Sequence, residues 1–551
     1  MQKENIYQVF TRLFGNTQQA QIPWGTIEQN GVGKFSDFTD QALAQIRQLG
    51  ITCIWYTGVP HHALVGNYRQ YGIDNDHPSV VKGRAGSPYA VKDYYSVNPD
   101  LADNPAKRNQ DFGCDDDYSV EYHKDNNFYY IPGQAFALPD ALSSHPPLGG
   151  EQHPDLAVPY QEFPAKWTGN GSRLAKPNHD DWYETVKINY GIRPNGSKDF
   201  DSLPEHYRER SAAEHFQFWQ GKRVPNSWLK FRDIAHYWLQ LGVDGFRFDM
   251  AEMVPVEFWS YLNSSIKHAN PEAILIAEVY QPELYREYIQ LGKMDYLYDK
   301  VDLYDHLKAV IRGQGSTSDI GRIEYQRRDI EHHLLHFLEN HDEQRIASPE
   351  FAGCAEKALP AMLVSACLSS SPTMIYFGQE VGEAASEMAG FGQPSRTSIF
   401  DYIGVPAHQR WVNHGRYDGG LLSEQEQQLR CFYQKLLNAT LNSSALTGEY
   451  HDLYAANYAN FAEIQHKLYA FARSDKDEIV LVATNFSSEL GKTVSLTIPE
   501  PLISHWELNS GHYTFTDRLS EQTFTLVVNE QQGNMTLDLP PLACRFLSLK
   551  R

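Results

Sequence analysis

Short apolar segments alternate with longer amphipathic segments over roughly the first 430 residues of this 551-residue chain. Two of the longer segments, 38–49 and 228–241, carry apolar residues at helical spacing. Such alternation predicts parallel βαβ units, in either a (β/α)8-type barrel or a doubly wound sheet. The predicted strands are residues 8–14, 51–56, 245–248, 274–277, 296–297, 335–338 and 373–377.

Two regions depart from this pattern. Residues 111–198 are dense in Pro, Gly, Asn, Asp and aromatic residues, which predicts an irregular inserted subdomain. The C-terminal region carries short, partly alternating segments at 467–473, 478–485, 493–498 and 535–539, which is typical of an antiparallel β-domain. We therefore expect an α/β barrel from 1–110 and 199–440, an insertion at 111–198 and a β-sandwich at 441–551.

The chain has a formal net charge of −21, from 48 basic and 69 acidic residues, which argues against a nucleic-acid partner. Aromatic residues make up 13% of the chain. The flat faces of aromatic rings can stack on sugar rings, although a core rich in Tyr would account for the same percentage.

The six cysteines form no CxxC pair, no signal peptide is visible and no stretch of 18 apolar residues occurs. We expect a cytoplasmic protein without a membrane span.

Three of the strand candidates each lead to a carboxylate near the C-terminal end. Asp249 ends one such run, Glu278 follows the next, and Asp342 lies shortly after a third. Arg247 and Asp249 are two residues apart and share one strand face, while Phe246 and Phe248 take the other. A single acidic residue at a strand end is usually a turn former or helix cap. The joint pattern instead predicts an active site at the C-terminal rim of a barrel.

Glycoside cleavage with retention of configuration needs such a set of carboxylates. One attacks as nucleophile, a second acts as acid and then base, and a third can stabilise the positive transition state. We expect Arg247 to favour the ionised form of Asp249. Glu278 has to hold a proton near neutral pH, so we predict a raised pKa for it.

At these residues the chain resembles the α-amylase superfamily of glycoside hydrolases. The run from Gly245 to Asp249 is similar to the family's nucleophile strand, Ala277-Glu278 to its acid/base strand, and Asn340-His341-Asp342 to its third catalytic segment. Residues 89–94 and 376–380 resemble two further family segments. The resemblance implies catalytic roles for Asp249, Glu278 and Asp342, and substrate binding by Tyr89, Arg247 and His341.

The resemblance implies a retaining enzyme that hydrolyses α-glucosidic bonds of starch-derived glucans or malto-oligosaccharides. A glucanotransferase or a trehalose-forming isomerase on the same scaffold is the alternative. The chemistry requires no cofactor, and no visible motif supports a structural calcium ion. Bond preference, substrate length and oligomeric state are not readable from the sequence.

One family segment is missing. The third barrel strand, which in the family ends in an Asp-x-x-x-Asn-His motif, has no counterpart before the insertion begins near residue 111. Three explanations are open: the sequence omits a segment, the gene product carries a deletion, or an unrecognised stretch closes the barrel. We favour the first two, with a junction near 108–112. The missing motif also keeps open a catalytically impaired, sugar-binding relative.

Overall fold

The computed structural model describes residues 3–106, 112–140, 147–151, 153–529 and 532–551. Its strands, in chain order, are β1 Asn5–Phe10, β2 Cys53–Thr57, β3 Pro60–His62, β4 Val91–Val97, β5 Tyr130–Ile131, β6 Ala165–Lys166, β7 Gly245–Phe248, β8 Ile274–Ala277, β9 Tyr296–Tyr298, β10 Leu334–Phe337, β11 Thr373–Tyr376, β12 Glu449–Asp452, β13 Leu468–Ser474, β14 Glu478–Asn485, β15 Lys492–Pro499, β16 Gly511–Asp517, β17 Thr523–Val528, β18 Gln532–Leu539 and β19 Cys544–Lys550.

The α-helices lie mostly between the strands of the first sheet. In chain order they are α1 Thr11–Phe14, α2 Ile27–Asn30, α3 Asp40–Gln48, α4 Ala212–Trp219, α5 Asn226–Gln240, α6 Val256–Ala269, α7 Tyr285–Gln290, α8 Asp305–Ile311, α9 Ile320–Arg327, α10 Leu359–Cys367, α11 Pro406–Val412, α12 Glu424–Leu441, α13 Tyr454–Phe461 and α14 Glu500–His505.

The first sheet is a nearly closed parallel barrel of seven strands in the order β2-β1-β11-β10-β9-β8-β7. Strands β7 to β11 each pair with the next one along the chain, β11 returns to pair with β1, and β1 pairs with β2. A doubly wound sheet would reverse its direction of winding partway, so this order confirms the barrel. One strand prediction was wrong at its end: residues 11–14, expected as strand, form the short helix α1.

The barrel has a gap at its third position, as the missing segment predicted. Among the described residues no strand joins β2 to β7, and both are edge strands of the sheet. The next strand along the chain, β4, pairs antiparallel with β3 instead. Tyr94 of β4 packs on Phe231 of α5, with ring centroids 5.4 Å apart. The predicted junction near 108–112 lies, apart from Phe112, outside the described residues.

The two edges of the gap are less buried than the opposite side of the barrel. Every residue of β10 and β11 is buried, whereas β7 is partly exposed along its whole length. Edge strands with unpaired backbone groups are costly inside a protein. The open seam therefore makes this side of the barrel its less tightly packed part.

The inserted region has little regular structure. Its short strands β5 and β6 pair antiparallel, and Tyr129 stacks on Trp167 with centroids 4.4 Å apart. Buried Asp116 accepts hydrogen bonds from the backbone N–H groups of Asn127 and Phe128, at 2.8 and 3.0 Å. Such side-chain bonds satisfy the backbone of an irregular chain where no strand ladder does so.

The C-terminal sheet is antiparallel and has eight strands in the order β12-β13-β14-β19-β16-β17-β18-β15. Strands β15 and β18 alternate buried and exposed residues, which is expected when one face covers a core. The strands β13 and β14 are buried along their full length. Arg473 of β13 donates to the carbonyl oxygen of Leu368 at 2.9 Å, which ties this sheet to the end of barrel helix α10.

Candidate active site

Asp249 follows directly on the last residue of β7. Arg247 lies two residues earlier on the same inward face, while Phe248 packs outward on Trp259 of α6 with centroids 4.7 Å apart. Nη1 of Arg247 donates to Oδ1 of Asp249 at 2.7 Å. The Arg247 side chain is only 2% exposed and that of Asp249 is 35% exposed. The strand therefore buries the cation and presents the carboxylate to the cleft.

Glu278 follows the last residue of the neighbouring strand β8. Its Oε2 accepts the backbone N–H of Met250 at 3.0 Å and lies 3.1 Å from Nη2 of Arg247. Met250 adopts left-handed backbone angles, with φ 43°, in the turn that leaves β7. That turn directs its N–H group towards β8 and holds the Glu278 carboxylate. Arg247 thus contacts both carboxylates at once.

Asp342 lies in the loop that follows β10. The side-chain oxygen of Asn340 accepts the backbone N–H groups of Asp342 and Glu343, both at 2.9 Å. Such a turn fixes the loop with a local side chain. Nε2 of His341 is 3.2 Å from Oδ2 of Asp342. The loop therefore brings the third predicted carboxylate to the same end of the barrel.

His341 is held between Gln8 of β1 and Tyr89. Nε2 of Gln8 donates to Nδ1 of His341 at 2.9 Å, so the neutral ring carries its proton on Nε2. That nitrogen lies 2.5 Å from the Tyr89 hydroxyl. Burial lowers the pKa of His341 to about 3 and keeps the imidazole neutral. Its side chain has no exposed surface, so His341 supports Tyr89 and Asp342 from behind.

Several residues of the site were not anticipated from the sequence. The Tyr298 hydroxyl accepts from Nε of Arg247 at 3.2 Å, and the guanidinium lies 5.2 Å from the Trp55 ring centroid. Tyr280, two residues beyond Glu278, hydrogen-bonds that carboxylate. Tyr298 ends β9, and that strand-end position is the signal that could have found it. Trp55 lacked such a signal, because an aromatic residue inside a strand usually belongs to a core. Tyr280 lies beyond the end of β8, and the residues around it gave no indication of a contact with Glu278.

The predicted raised pKa of Glu278 is wrong. Burial opposes ionisation there, but Arg247 and the bonds from Tyr280 and Met250 outweigh it, so the pKa of Glu278 falls below its usual value. Burial raises the pKa of Asp249 to about 7, against the opposing charge of Arg247. Burial likewise raises the pKa of Asp342 to about 6. Three carboxylates around one guanidinium cannot all ionise easily.

The three carboxylates line one cavity of 610 Å³, together with Arg247 and Tyr89. His341 is absent from its walls. The remaining walls are rich in aromatic and apolar side chains, including Tyr94, Trp182, Tyr190, Phe231, Phe248, Phe258, Trp259, Tyr280 and Phe400. Several of these lie beside the outward face of β7, next to the open seam of the barrel. The cavity is therefore both a polar centre and an extended apolar cleft.

One wall of the cavity comes from the inserted region. Glu184 accepts from Nζ of Lys82 at 2.6 Å, and Lys82 also lies 5.6 Å from the ring centroid of Phe400. The Glu184 side chain is 4% exposed, so this ion pair is largely shielded from water. These contacts attach the insertion to the barrel at the cleft.

Two sequence families match the chain. The family described as "Alpha amylase, catalytic domain" matches residues 205–410, a range that contains Asp249, Glu278 and Asp342. The family described as "Alpha amylase, C-terminal all-beta domain" matches residues 458–550. Together they cover both sheets described above, apart from β1 and β2 of the barrel and β12 of the C-terminal sheet.

Whole-chain comparisons agree with these matches. The chain is 24% identical to Neopullulanase 2 of Thermoactinomyces vulgaris over 97% of its own length and 76% of that protein. It is 25% identical to α-amylase MalA of Haloarcula japonica over 88% of its length and 55% of that relative.

Among the described residues, no helix combines the length and the apolar character that a bilayer crossing requires.

Solved structures share the fold. The maltogenic α-amylase AmyB of Thermotoga neapolitana superposes with a TM-score of 0.54 at 16% identity, over 100% of this chain and 99% of that one. The α-amylase of Geobacillus thermoleovorans, complexed with acarbose, gives 0.55 at 16% identity over 100% and 98%. The barrel, the C-terminal sheet, the two family matches and these relatives agree. The chain belongs to the α-amylase family, the glycoside hydrolases of α-glucans.

Proposed function

We propose that the chain hydrolyses α-glucosidic bonds by a retaining double displacement, with Asp249 as nucleophile and Glu278 as acid and base. The contact of both carboxylates with one guanidinium carries this proposal. Neighbouring nitrogens of a planar group hold two carboxylates close together. That arrangement fits the ~5–5.5 Å separation of retaining enzymes better than the ~6.5–9.5 Å of inverting enzymes.

In the first step a carboxylate oxygen of Asp249 attacks the anomeric carbon, and the bond to the leaving oxygen breaks. Glu278 gives its proton to that oxygen, so the leaving sugar departs as an alcohol. The product is a glycosyl ester on Asp249. In the second step Glu278 takes a proton from water, whose oxygen attacks the anomeric carbon and releases Asp249. Two inversions leave the configuration unchanged.

The first step needs a protonated Glu278 and an ionised Asp249. The pKa shifts of the two acids favour the opposite placement, because burial raises the pKa of Asp249 while Arg247 and neighbouring donors lower that of Glu278. In a coupled pair the two single-proton forms exchange, and the pair titrates as a unit. Catalysis then uses the single-proton form in which Glu278 carries the proton and Asp249 is ionised.

We propose that Asp342 and Tyr89 hold the sugar ring that is attacked, since both line the cavity. The positive charge that develops on that ring is stabilised by an ionised Asp342. His341 acts as a positioning residue through its contacts with both side chains. Arg247 contacts both reacting carboxylates and so holds them at a fixed separation.

Trapping the covalent intermediate tests the mechanism. A 5-fluoro-α-glucosyl fluoride slows both steps but has a good leaving group, so the glycosyl ester should accumulate. Peptide mass spectrometry should then find the sugar on the peptide that contains Asp249, with the D249N variant unlabelled. Release of an inverted product, measured by NMR during hydrolysis, would overturn the retaining route.

Transfer to a second sugar is the alternative activity, and the aromatic cavity walls favour it. Trp182, which lines the cavity and is 39% exposed, offers a flat face on which an acceptor sugar can stack. Product analysis with maltotriose separates the activities: products longer than maltotriose indicate transfer, and only glucose and maltose indicate hydrolysis. Binding of acarbose without any turnover would instead indicate the catalytically impaired relative that the gap at the third strand suggests.

The domain boundaries and the compartment are also proposals. We assign residues 1–110 and 199–440 to the catalytic unit, 111–198 to the inserted subdomain and 441–551 to the C-terminal domain. Cys53, Cys354, Cys367, Cys431 and Cys544 carry free thiols, and Cys367 is fully buried. Free thiols persist in reducing compartments, which supports a cytoplasmic location.

A further inference from the structure

A cluster of three metal-ligating side chains lies in the C-terminal domain, outside the catalytic cavity. Glu449 and His451 are two residues apart on β12, so they share one face of that strand. His505 is the last residue of α14. One candidate ligand atom of each lies within 4.8 Å of the other two. We call these three residues the His-His-Glu cluster.

The cluster joins parts of the sheet that are far apart in strand order. Strand β12 is the first strand of the sheet and pairs with β13. Helix α14 follows β15, the last strand in that order, and packs on β15 and β18. A link between Glu449 or His451 and His505 therefore connects the two ends of the sheet.

His451 is held in place by partners that leave one ring nitrogen for a ligand. Its Nε2 lies 2.9 Å from Oγ of Ser474, and Nε1 of Trp506 donates to the same oxygen at 3.0 Å. Trp506 is 1% exposed and meets the His451 ring edge-on at 6.0 Å. Metal-binding histidines commonly fix their second nitrogen in this manner. Nδ1 of His451 is then the nitrogen that remains for a metal.

The other two side chains can move to complete a site. Nε2 of His505 lies 3.2 Å from Oε2 of Glu449, and the two side chains are 50% and 69% exposed. Ligands of a tetrahedral zinc ion at ~2.0–2.2 Å stand about 3.4 Å apart. No separation in the cluster has to shorten by more than about 1.4 Å, which rotation of an exposed side chain provides.

We propose that Glu449, His451 and His505 bind one divalent transition-metal ion such as Zn²⁺, with water as the fourth ligand. Two imidazoles and one carboxylate are a donor set that zinc and its neighbours prefer over calcium or magnesium. The ion serves a structural role, because it fastens the edge strand β12 to α14. None of the three residues lines the catalytic cavity, so glycoside hydrolysis does not depend on it.

Titration of the full chain with ZnCl₂ tests the proposal. The protein is prepared without a polyhistidine tag, stripped of metal with a chelator, and studied by calorimetry and thermal unfolding. We expect one tight site per chain and a melting temperature that rises with the free Zn²⁺ concentration. E449Q and H505Q should each weaken this site at least tenfold.

Matched variants in the same domain control for general effects of the substitutions. Glu489→Gln and His512→Gln alter exposed residues outside the cluster and should bind Zn²⁺ as the unmodified chain does. Activity on maltotriose should be unchanged in E449Q and H505Q. The proposal is overturned if these two variants bind Zn²⁺ as tightly as the controls, or if the unmodified chain shows no site of unit stoichiometry. The Glu449–His505 contact would then be an ion pair only.

Discussion

Nη2 of Arg247 lies 3.1 Å from Oε2 of Glu278, although the same guanidinium is already bonded to another carboxylate. One buried cation thus serves two acids that the proposed mechanism uses in different protonation states. A change in the charge of one acid therefore alters the pKa of the other through this shared cation. The predictions on catalysis rest on that coupling.

Replacing Asp249 by Asn should lower kcat on maltotriose by about 10⁴-fold or more, because the amide cannot form the glycosyl ester. The melting temperature should stay close to that of the unmodified chain, since the side chain faces the cleft. The matched control is D244N, which alters an exposed aspartate just before the same strand. Full activity in D249N would remove Asp249 from the nucleophile role.

Replacing Glu278 by Gln should affect substrates unequally. With maltotriose we expect a loss of about 10²–10⁴-fold, because the leaving oxygen needs a proton. A 4-nitrophenyl α-maltoside needs none, so its first step should stay fast and produce a burst of nitrophenolate. The second step should remain slow, because the base is gone. Equal losses with both substrates, with normal rates in the exposed-site control E272Q, would contradict the assignment of Glu278.

The pH profile of kcat/KM should be bell-shaped, with the upper limb near pH 7. The pair of Asp249 and Glu278 carries one proton between its two pKa values. Above about 7, where Asp249 titrates, both acids are ionised and no proton is available for the leaving group. On the acid side the rate should fall first near pH 6, where Asp342, which has to be ionised, takes up its proton. It should fall further below the lowered pKa of Glu278, where both members of the pair are protonated and the nucleophile is lost. Rates that still rise well above pH 7 would exclude this proton arrangement.

The buried ion pair of Glu339 and Arg345 should stabilise the barrel independently of catalysis. The two side chains are 1% and 0% exposed and lie 2.8 Å apart. Burial raises the pKa of Glu339 to about 7, so the pair is fully ionised only above that pH. Measured above pH 7, E339Q leaves the guanidinium buried without this counter-charge, and we expect a loss of about 3–5 kcal/mol in the free energy of unfolding.

Denaturant unfolding of the full chain measures this loss. The control is D329N, which breaks the exposed pair of Asp329 with Arg286 and should cost at most about 1 kcal/mol. Similar costs for the two variants would mean that the buried pair contributes no more than a surface contact.

Much of the site could be predicted from the sequence because strand geometry is local. A residue directly after an apolar strand has to lie at the carboxyl end of that strand, and parallel strands place those ends together. This reasoning located Asp249 and Glu278, and the alternation of side chains put Arg247 beside Asp249. The gap at the third strand was equally predictable, because a strand that the sequence does not encode cannot join the sheet.

Other properties depend on partners that are distant in the chain. The predicted raised pKa of Glu278 failed because the Met250 N–H group and Arg247 hold its charged form, and only the fold brings those groups to it. The burial of His341 behind Tyr89, and the meeting of Glu449 with His505, arise in the same manner. The sequence by itself determined which groups stand at which strand ends. Tertiary structure decided which of them are solvated, paired or protonated, because those energies depend on distances between residues far apart in the chain.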